Sequence, residues 1–293
     1  MKAQHIGWML ICQLIWGFNF VAAKVGIQYF SPVLFCAIRF SLAALLLLPV
    51  VGLPRERLWR LLPLSFTMGT MHFSLLNLGM RSVDVATTSI TIQLQVAFAA
   101  VMAAFFFGET LGWRRITGMS LAFAGVVLIA GEPRFSGENF WPLMAVVGAA
   151  FCWAAANIQV KALGDIDAVK LNGWIAILAA PQLIIASLLL EGDPWQQISA
   201  VAWQGWAALL YQAIVVAIFS YWIWYNMMKR YPVNQVMPFT LLLPMIGFMC
   251  GALMLDEQIT FRMLLGAAAT IFGVGIIILR RPAVVAPSTR TGI

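Results

Sequence analysis

Charged residues are scarce in this 293-residue sequence, and their scarcity excludes an ordinary soluble domain. Asp, Glu, Lys and Arg together make up only 10% of the chain, whereas soluble domains average roughly 25%. Hydrophobic residues make up 62%, and the mean hydropathy is +0.90. So few charges cannot cover a water-exposed surface, and the composition therefore predicts a protein that crosses a membrane several times.

Residues that carry catalytic or metal chemistry are also few. The chain has 2 His and 4 Cys. The cysteines all lie in apolar segments without metal-ligand or disulfide spacing, at Cys12, Cys36, Cys152 and Cys250. We recognise no nucleophile–base set, metal cluster or phosphate-binding loop. We therefore expect a protein that is not an enzyme and has no metal or cofactor, in which the cysteines pack as small apolar side chains.

Basic residues outnumber acidic ones by 18 to 11, which gives a net charge of +7. They stand between apolar runs rather than on one patch, so membrane topology explains them better than a nucleic-acid partner does. The expected partners are a small-molecule substrate and membrane lipid, with no nucleic acid. The expected assembly is a monomer or a weak homodimer.

One stretch of the sequence occurs twice. Six residues of the segment 109–129 recur after a constant offset of 148 residues, the separation of Glu109 and Glu257. Glu109, Arg114, Gly118, Gly125, Val126 and Ile129 return as Glu257, Arg262, Gly266, Gly273, Val274 and Ile277. The chain therefore reads as two copies of one unit. In each copy the two glycines lie seven residues apart, nearly on one face of a helix, where they allow close packing.

Ten apolar runs are long enough to cross a bilayer, which takes about 20 residues each. They fall near 7–28, 32–52, 60–80, 84–107, 112–131, 140–161, 169–190, 203–226, 233–254 and 261–280. The residues after Val85 are strand-like, but a lone strand in lipid leaves its backbone unpaired, so we expect helix there. The prediction is an all-α integral membrane protein with one five-helix repeat in 1–136, a second in 137–281 and a disordered cytoplasmic tail in 282–293.

The basic residues between the runs predict the orientation. With the amino terminus in the cytoplasm, thirteen lie inside and four outside, and Arg39 lies within a helix. This bias places both termini on the cytoplasmic side of the inner membrane. Because five helices per repeat is an odd number, the second repeat enters from the other side. The repeats are therefore expected to be inverted, with Glu109 inside and Glu257 outside.

Polar and aromatic side chains recur along single faces of several predicted helices. On the fourth helix Asp84, Thr88, Thr91 and Gln95 follow helical spacing. Other pairs or triplets share a face on the first, sixth and eighth helices: Gln13 with Trp16 and Phe20, Trp153 with Asn157, and Tyr221 with Tyr225. In the ninth helix, Pro238 and Pro244 are expected to interrupt the hydrogen-bond ladder. Such groups line a cavity or, equally, bond and pack between helices.

Arg39 and His72 are the titratable residues well inside predicted helices. Arg39 either serves the structure, through carbonyls or by reaching the outer surface, or contacts a substrate. His72 is either a packing residue or a proton carrier. A buried Asp or Glu relay for protons is not visible.

The motifs resemble those of the drug/metabolite transporter (DMT) superfamily, EamA family. They comprise an early Trp16-Gly-Phe-Asn19, the pair Arg39-Phe40, and Gly108-Glu109 followed by glycines in the fifth helix. The aromatic richness is similar to that of the YddG-like amino-acid and metabolite exporters. The second copy departs from the pattern, with Asp256-Glu257 and no arginine equivalent to Arg39. The resemblance implies two inverted repeats around a central cavity, with the fifth and tenth helices at the periphery.

Helical faces and resemblance together define the candidate cavity residues. They are Trp16, Asn19, Phe20, His72, Thr91, Gln95, Trp153, Asn157, Tyr221 and Tyr225. The leading hypothesis is a secondary transporter that exports small amphipathic metabolites, amino acids including aromatic or apolar ones, by facilitated alternating access. Two alternatives stay open: a flippase for lipids or lipid-linked sugars, and a proton-coupled drug or metabolite exporter.

Overall fold

A computed structural model describes residues 1–51, 58–108, 111–132, 140–164, 166–193, 198–199, 201–231 and 233–278. All regular secondary structure in these ranges is helical, as the composition predicts. Glu109 and the tail 282–293 lie outside the described residues. We number the helices α1–α10 and join consecutive helical segments under one number.

The first half of the chain contains α1 to α5. Their bounds are Ala3–Tyr29 for α1, Pro32–Val51 for α2, three segments (Leu58–Leu64, Ser65–His72 and Phe73–Met80) for α3, two segments (Val85–Thr91 and Leu94–Phe107) for α4, and Trp113–Ala130 for α5. The strand-like residues after Val85 are therefore helical, as expected from the need to satisfy backbone groups in lipid.

The second half contains α6 to α10. Their bounds are Phe140–Leu163 for α6, Ala168–Leu190 for α7, three segments (Trp203–Leu210, Tyr211–Ser220 and Tyr221–Arg230) for α8, three segments (Val233–Val236, Met237–Leu241 and Leu242–Met254) for α9, and Phe261–Ile278 for α10. Eight of the described helices are long and apolar enough to cross a membrane. The interrupted α3 is not one of the eight, and α9 supplies a shorter apolar helix, so the count of ten crossings stays a prediction.

Several helices expose large apolar side chains along their outer faces. Phe105 is 82% exposed, Leu189 79% and Leu253 76%. Exposed apolar surface of this extent on several helices fits contact with lipid tails rather than with water. The chain is therefore a multi-pass membrane protein.

Two helices change their winding at equivalent places. The middle segments of α3 (Ser65–His72) and of α8 (Tyr211–Ser220) are π-helical. Their last residues, His72 and Ser220, are separated by the same 148 residues that relate Glu109 to Glu257. π turns are rare and often occur at functional sites. The residues around these two segments are therefore candidates for the functional site.

The ninth helix is interrupted at one of its two predicted prolines. Pro238 falls in the 3₁₀ segment Met237–Leu241. Pro244, in contrast, lies in the first turn of the α-helix Leu242–Met254. Proline fits a first turn because backbone N–H groups there have no partner within the helix. The ladder is thus interrupted before Leu242 and not at Pro244.

The repeated glycines bring α5 and α10 into close contact. A Cβ atom built on Gly118 would lie 2.7 Å from the carbonyl oxygen of Gly273, and one built on Gly266 would lie 2.6 Å from that of Gly125. Each glycine of one copy therefore meets the other glycine of the second copy. The close packing predicted for these glycines is confirmed.

Two carboxylates bind the amino-terminal turns of other helices. Glu257, between α9 and α10, accepts hydrogen bonds from the backbone N–H groups of Val85 (2.6 Å) and Ala86 (2.8 Å) at the start of α4. Glu191, after α7, likewise accepts bonds of 2.8 Å from Val33 and Leu34 at the start of α2. These bonds satisfy N–H groups that lack helical partners and tie each half of the chain to the other.

Candidate substrate cavity

Trp16 of α1 contacts the segment boundary of α8. Its indole nitrogen donates a hydrogen bond of 2.7 Å to Ser220 Oγ. Its ring lies 5.6 Å from that of Tyr221 and 5.0 Å from that of Trp224 between centroids. The structure thus brings Trp16 and Tyr221 together, two residues that the sequence assigned to the cavity.

Trp153 of α6 makes a similar contact with α3. Its ring centroid lies 4.8 Å from that of His72, which in turn lies 4.6 Å from that of Phe73. His72 is 4% exposed, and its Nδ1 lies 2.8 Å from the carbonyl oxygen of Ala149. A carbonyl only accepts, so Nδ1 carries a proton, and a neutral His72 leaves Nε2 as an acceptor.

The residues around Trp16 (Ser220 and Tyr221) and those around Trp153 (His72 and Phe73) form two groups, which occupy equivalent positions in the two copies. At the offset of 148 residues, His72 corresponds to Ser220 and Phe73 to Tyr221. Trp16 and Trp153 are the aligned tryptophans of the first helices. In each case a first-helix tryptophan of one copy therefore packs against the end of the π segment in the other copy.

A small cavity lies beside both groups. It measures about 20 Å³ and is bordered by Phe73 from one group and Tyr221 from the other. Arg39 also lines it, and the guanidinium carbon lies 4.3 Å from the Phe73 ring centroid. A volume of this size holds about one water molecule, so the cavity is too small for a whole amino acid in this conformation.

The remaining candidates are placed less uniformly. Phe20 is buried and lies near Gly247 of α9, where its ring would be 3.3 Å from a Cβ built on that glycine. Gln95 is half-buried. Asn157 is exposed, and its amide donates to the carbonyl of Trp153 one turn earlier in its own helix (2.8 Å). The side chain of Tyr225 lies outside the described residues.

Several buried polar atoms of α1 and α4 have no hydrogen-bond partner among the described residues. Neither amide atom of Gln13 has a hydrogen-bond partner among the described residues, although the side chain is 0% exposed. The same holds for Asn19 Oδ1 and for the hydroxyls of Thr88 and Thr91. Unpaired buried polar atoms are costly, so we expect water or ligand to satisfy them in a working transporter.

Ser220, Phe73 and Trp224 were not among the residues that the sequence suggested. Ser220 is short and Phe73 is apolar, so neither stands out in an apolar helix. The offset of 148 residues was the available signal, because it relates His72 to Ser220. Arg39 was recognised as unusual, but only the structure places it beside the aromatic groups.

The helical membrane architecture and the polar-aromatic residues at the junction of the two halves define the class of a membrane transporter. The model of the EamA-like transporter family matches the chain twice, over residues 4–131 and 140–279. The chain therefore belongs to the EamA-like transporter family, within the DMT superfamily, which confirms the resemblance drawn from its motifs.

Curated relatives carry transporter names. The chain is 32% identical over 276 residues to the "Probable amino-acid metabolite efflux pump" of Escherichia coli (strain K12), covering 90% of this chain and 91% of the relative. It is 30% identical over 273 residues to a protein of the same name from Salmonella typhimurium, with the same coverage. A relative from Bacillus subtilis, "Uncharacterized transporter YoaV", is 26% identical and covers 89% of this chain and 92% of its own.

A solved crystal structure shares the fold. It superposes with a TM-score of 0.65 over 95% of this chain and 98% of the other, at 16% sequence identity. At this identity the likeness concerns the fold alone.

Proposed function

We propose that this transporter exports small amphipathic metabolites, in particular aromatic or apolar amino acids, across the cytoplasmic membrane by alternating access. The observation that carries the proposal is the equivalence of the two aromatic groups, Trp16 with Ser220 and Trp153 with His72. The names of the two relatives at 30–32% identity support amino-acid metabolites as the substrate class.

Equivalent contacts in two copies suit an alternating mechanism. Inverted repeats allow the two halves to exchange conformations, so that one site faces each side of the membrane in turn. α1 packs against α8 and α9, while α6, its counterpart, packs against α3 and α4. This exchange of partners is the pattern expected when two related units face each other across a pseudo-two-fold axis.

Facilitated transport is the simplest energy coupling for this chain. None of the described helices α1–α10 contains Asp or Glu. Proton-coupled carriers commonly place such a carboxylate within the membrane. The substrate's own gradient then drives transport, and the direction of export follows from the names of the relatives.

Counterflow into proteoliposomes tests the function. Vesicles containing the purified protein are preloaded with unlabelled phenylalanine, and uptake of radiolabelled phenylalanine or leucine is followed against protein-free vesicles and against lysine. We expect uptake of phenylalanine and leucine well above that of lysine. Dithionite quenching of a fluorescent phospholipid in the same vesicles tests the flippase alternative. Lipid translocation without amino-acid counterflow would contradict the proposal.

Single cysteines test the orientation in a Cys-free variant. Gly112→Cys is a suitable inside site because a Cβ there has no atom within 4 Å, and Gln258→Cys is an exposed outside site. In intact cells an impermeant maleimide should label position 258 and leave position 112 unlabelled until the cells are opened. Labelling of both positions from one side would contradict inverted repeats.

A further inference from the structure

Arg39 is a buried cation that the proposed function does not yet use. Its side chain is 6% exposed within α2. Its guanidinium carbon lies 4.3 Å from the ring centroid of Phe73 and 5.5 Å from that of Phe40. In the part of the chain that the structure describes, the guanidinium has no hydrogen bond and no carboxylate partner.

Two phenyl rings offset only part of what burial of this charge costs. A guanidinium loses its water on burial, and contacts with ring faces are weaker than a hydrogen-bonded ion pair. Ionisable residues inside membrane proteins almost always pair with another group or mark a path for substrate. An anion that is not part of the described chain could therefore serve as the counter-ion of Arg39.

The space for such an anion lies directly beside the guanidinium. Arg39 lines the cavity of about 20 Å³, together with Asn172 and Tyr221, which supply polar groups, and Ala176 and Ala217, which are small. At the offset of 137 residues that relates Trp16 to Trp153, Ala176 is the counterpart of Arg39. Arg39 therefore lines the same cavity as its own much smaller counterpart.

We propose that Arg39 binds the carboxylate of the transported substrate. The planar guanidinium matches a carboxylate through two parallel hydrogen bonds. Among the described residues that line the cavity, Arg39 alone is charged, so a single negative charge is neutralised, whereas a doubly charged phosphate is left with one charge unpaired. The inference rests on the proposed function and names the substrate group that the same site recognises.

The small volume of this cavity has a consequence for the transport cycle. A volume that holds about one water does not accept an amino acid. Entry therefore requires the surrounding helices to separate, and the ligand supplies the missing counter-ion in the open or occluded state. Binding energy then favours the state in which Arg39 and the carboxylate meet.

Ligand-dependent thermal stabilisation of the purified full-length protein tests the proposal with three probes. Phenylalanine carries both the amine and the carboxylate, 3-phenylpropionate carries only the carboxylate, and phenylalaninol carries only the amine. We expect the native protein to bind phenylalanine and 3-phenylpropionate, and to bind phenylalaninol at least tenfold more weakly than phenylalanine. Arg39→Gln should weaken binding of both carboxylates at least tenfold and leave phenylalaninol unchanged.

Two further variants separate recognition from folding. Arg39→Lys keeps the charge but not the two parallel bonds, so it should weaken carboxylate binding three- to tenfold, and it serves if Arg39→Gln does not fold. Arg60→Gln is the matched control, because Arg60 is exposed and also lies over a ring, 4.7 Å from the centroid of Trp59. The control should bind all three probes as the native protein does.

The outcomes distinguish this inference from the proposed function. Equal affinity of the native protein for phenylalanine and phenylalaninol, unchanged carboxylate binding in the Arg39 variants, or no carboxylate binding at all would overturn the role of Arg39. Absence of amino-acid counterflow by the native protein would instead overturn the proposed function. Arg39-dependent binding of 3-phenylpropionate would in that case still establish a carboxylate site.

Discussion

The indole nitrogen of Trp16 donates a hydrogen bond of 2.7 Å to the hydroxyl of Ser220. That hydroxyl donates in turn to the carbonyl of Val216, 2.6 Å away in its own helix. In the other copy the equivalent residues, Trp153 and His72, meet through their rings. The two copies thus share the position of the contact but differ in its chemistry, a hydrogen bond in one and a ring contact in the other.

The hydrogen bond between Trp16 and Ser220 should be measurable as a coupling energy. Ser220→Ala leaves the indole N–H unpaired in a partly buried place, which should cost about 1 kcal/mol. Trp16→Phe in the same background removes the unpaired donor, so the double variant should lose less than the sum of the single variants. Thermal unfolding in detergent measures each term.

The control for this cycle is Ser41→Ala. Its hydroxyl donates only to the carbonyl of Ala37 one turn earlier in the same helix, so its loss should be small and should add independently to Trp16→Phe. Strict additivity of Ser220→Ala with Trp16→Phe would contradict the coupling.

The tryptophans of the two first helices should matter for transport more than for folding. Trp16→Ala or Trp153→Ala is expected to reduce counterflow of phenylalanine about fivefold or more, because ring–substrate contacts contribute on the order of 1 kcal/mol or more each. Membrane abundance should fall much less. Trp141→Ala is the control, since Trp141 is 73% exposed. A proportional loss of transport and abundance would assign Trp16 and Trp153 to packing alone.

The glycine contact between α5 and α10 should not tolerate a side chain. Gly118→Ala places a methyl group 2.7 Å from the carbonyl oxygen of Gly273, which forces the helices apart and is expected to cost about 1–3 kcal/mol. Gly7→Ala is the matched control, because a Cβ on Gly7 has no atom within 4 Å. Unfolding temperatures in detergent should fall for the first variant and not for the second. An unchanged temperature for Gly118→Ala would show that the contact is looser than the structure has it.

Glu257 should make stability depend on pH. Burial raises the pKa of the Glu257 carboxyl above its ordinary value, although the amides of Ala86 and Val85 act in the opposite direction. With a folded-state pKa above the unfolded value of about 4.3, the folded protein binds more protons between the two values. The contribution of Glu257 to stability is therefore largest below this window and falls as pH rises through it.

Two substitutions check this sign. Glu257→Gln should remove that pH dependence. The unfolding temperature of the native protein minus that of the variant should therefore increase as the pH falls from 7. Glu257→Ala removes the acceptors of two helix-start N–H groups and should cost about 1–2 kcal/mol. Asp256→Asn is the control, because Asp256 is the exposed neighbour. A native protein that loses stability relative to Glu257→Gln on acidification would contradict the raised pKa.

We predict that His72 does not couple transport to protons. The buried ring donates from Nδ1 to the Ala149 carbonyl, and no helix described here contains a carboxylate to support a proton relay. We expect phenylalanine transport at matched substrate gradients to be unaffected by an imposed pH gradient. His72→Gln should change affinity without changing that independence. Uphill accumulation driven by protons and lost in His72→Gln would instead establish a coupled exporter.

The sequence alone determined where the helices run. A membrane helix needs about 20 apolar residues and must pair its backbone internally, so the run predicted at 140–161 appears as Phe140–Leu163 and the strand-like Val85–Thr91 is helical. The duplication could also be recognised in the sequence. Glycines at the contact of two helices cannot be replaced by larger residues without a clash, so they recur in both copies. The repeat predicted a face that packs closely, and the structure shows that Gly118 of one copy meets Gly273 of the other.

Only the tertiary structure decided which side chains face one another. Lipid tails and the protein interior are both apolar, so apolar residues occur on the lipid-facing and on the buried face of a membrane helix. The sequence therefore gives only a weak indication of which face is buried. Asn157 therefore turned out exposed although it shares a helical face with Trp153. The π segments of α3 and α8 also rotate later residues relative to a regular helix. The meeting of Arg39 with Phe73, and of Trp16 with Ser220, joins helices that are far apart in sequence.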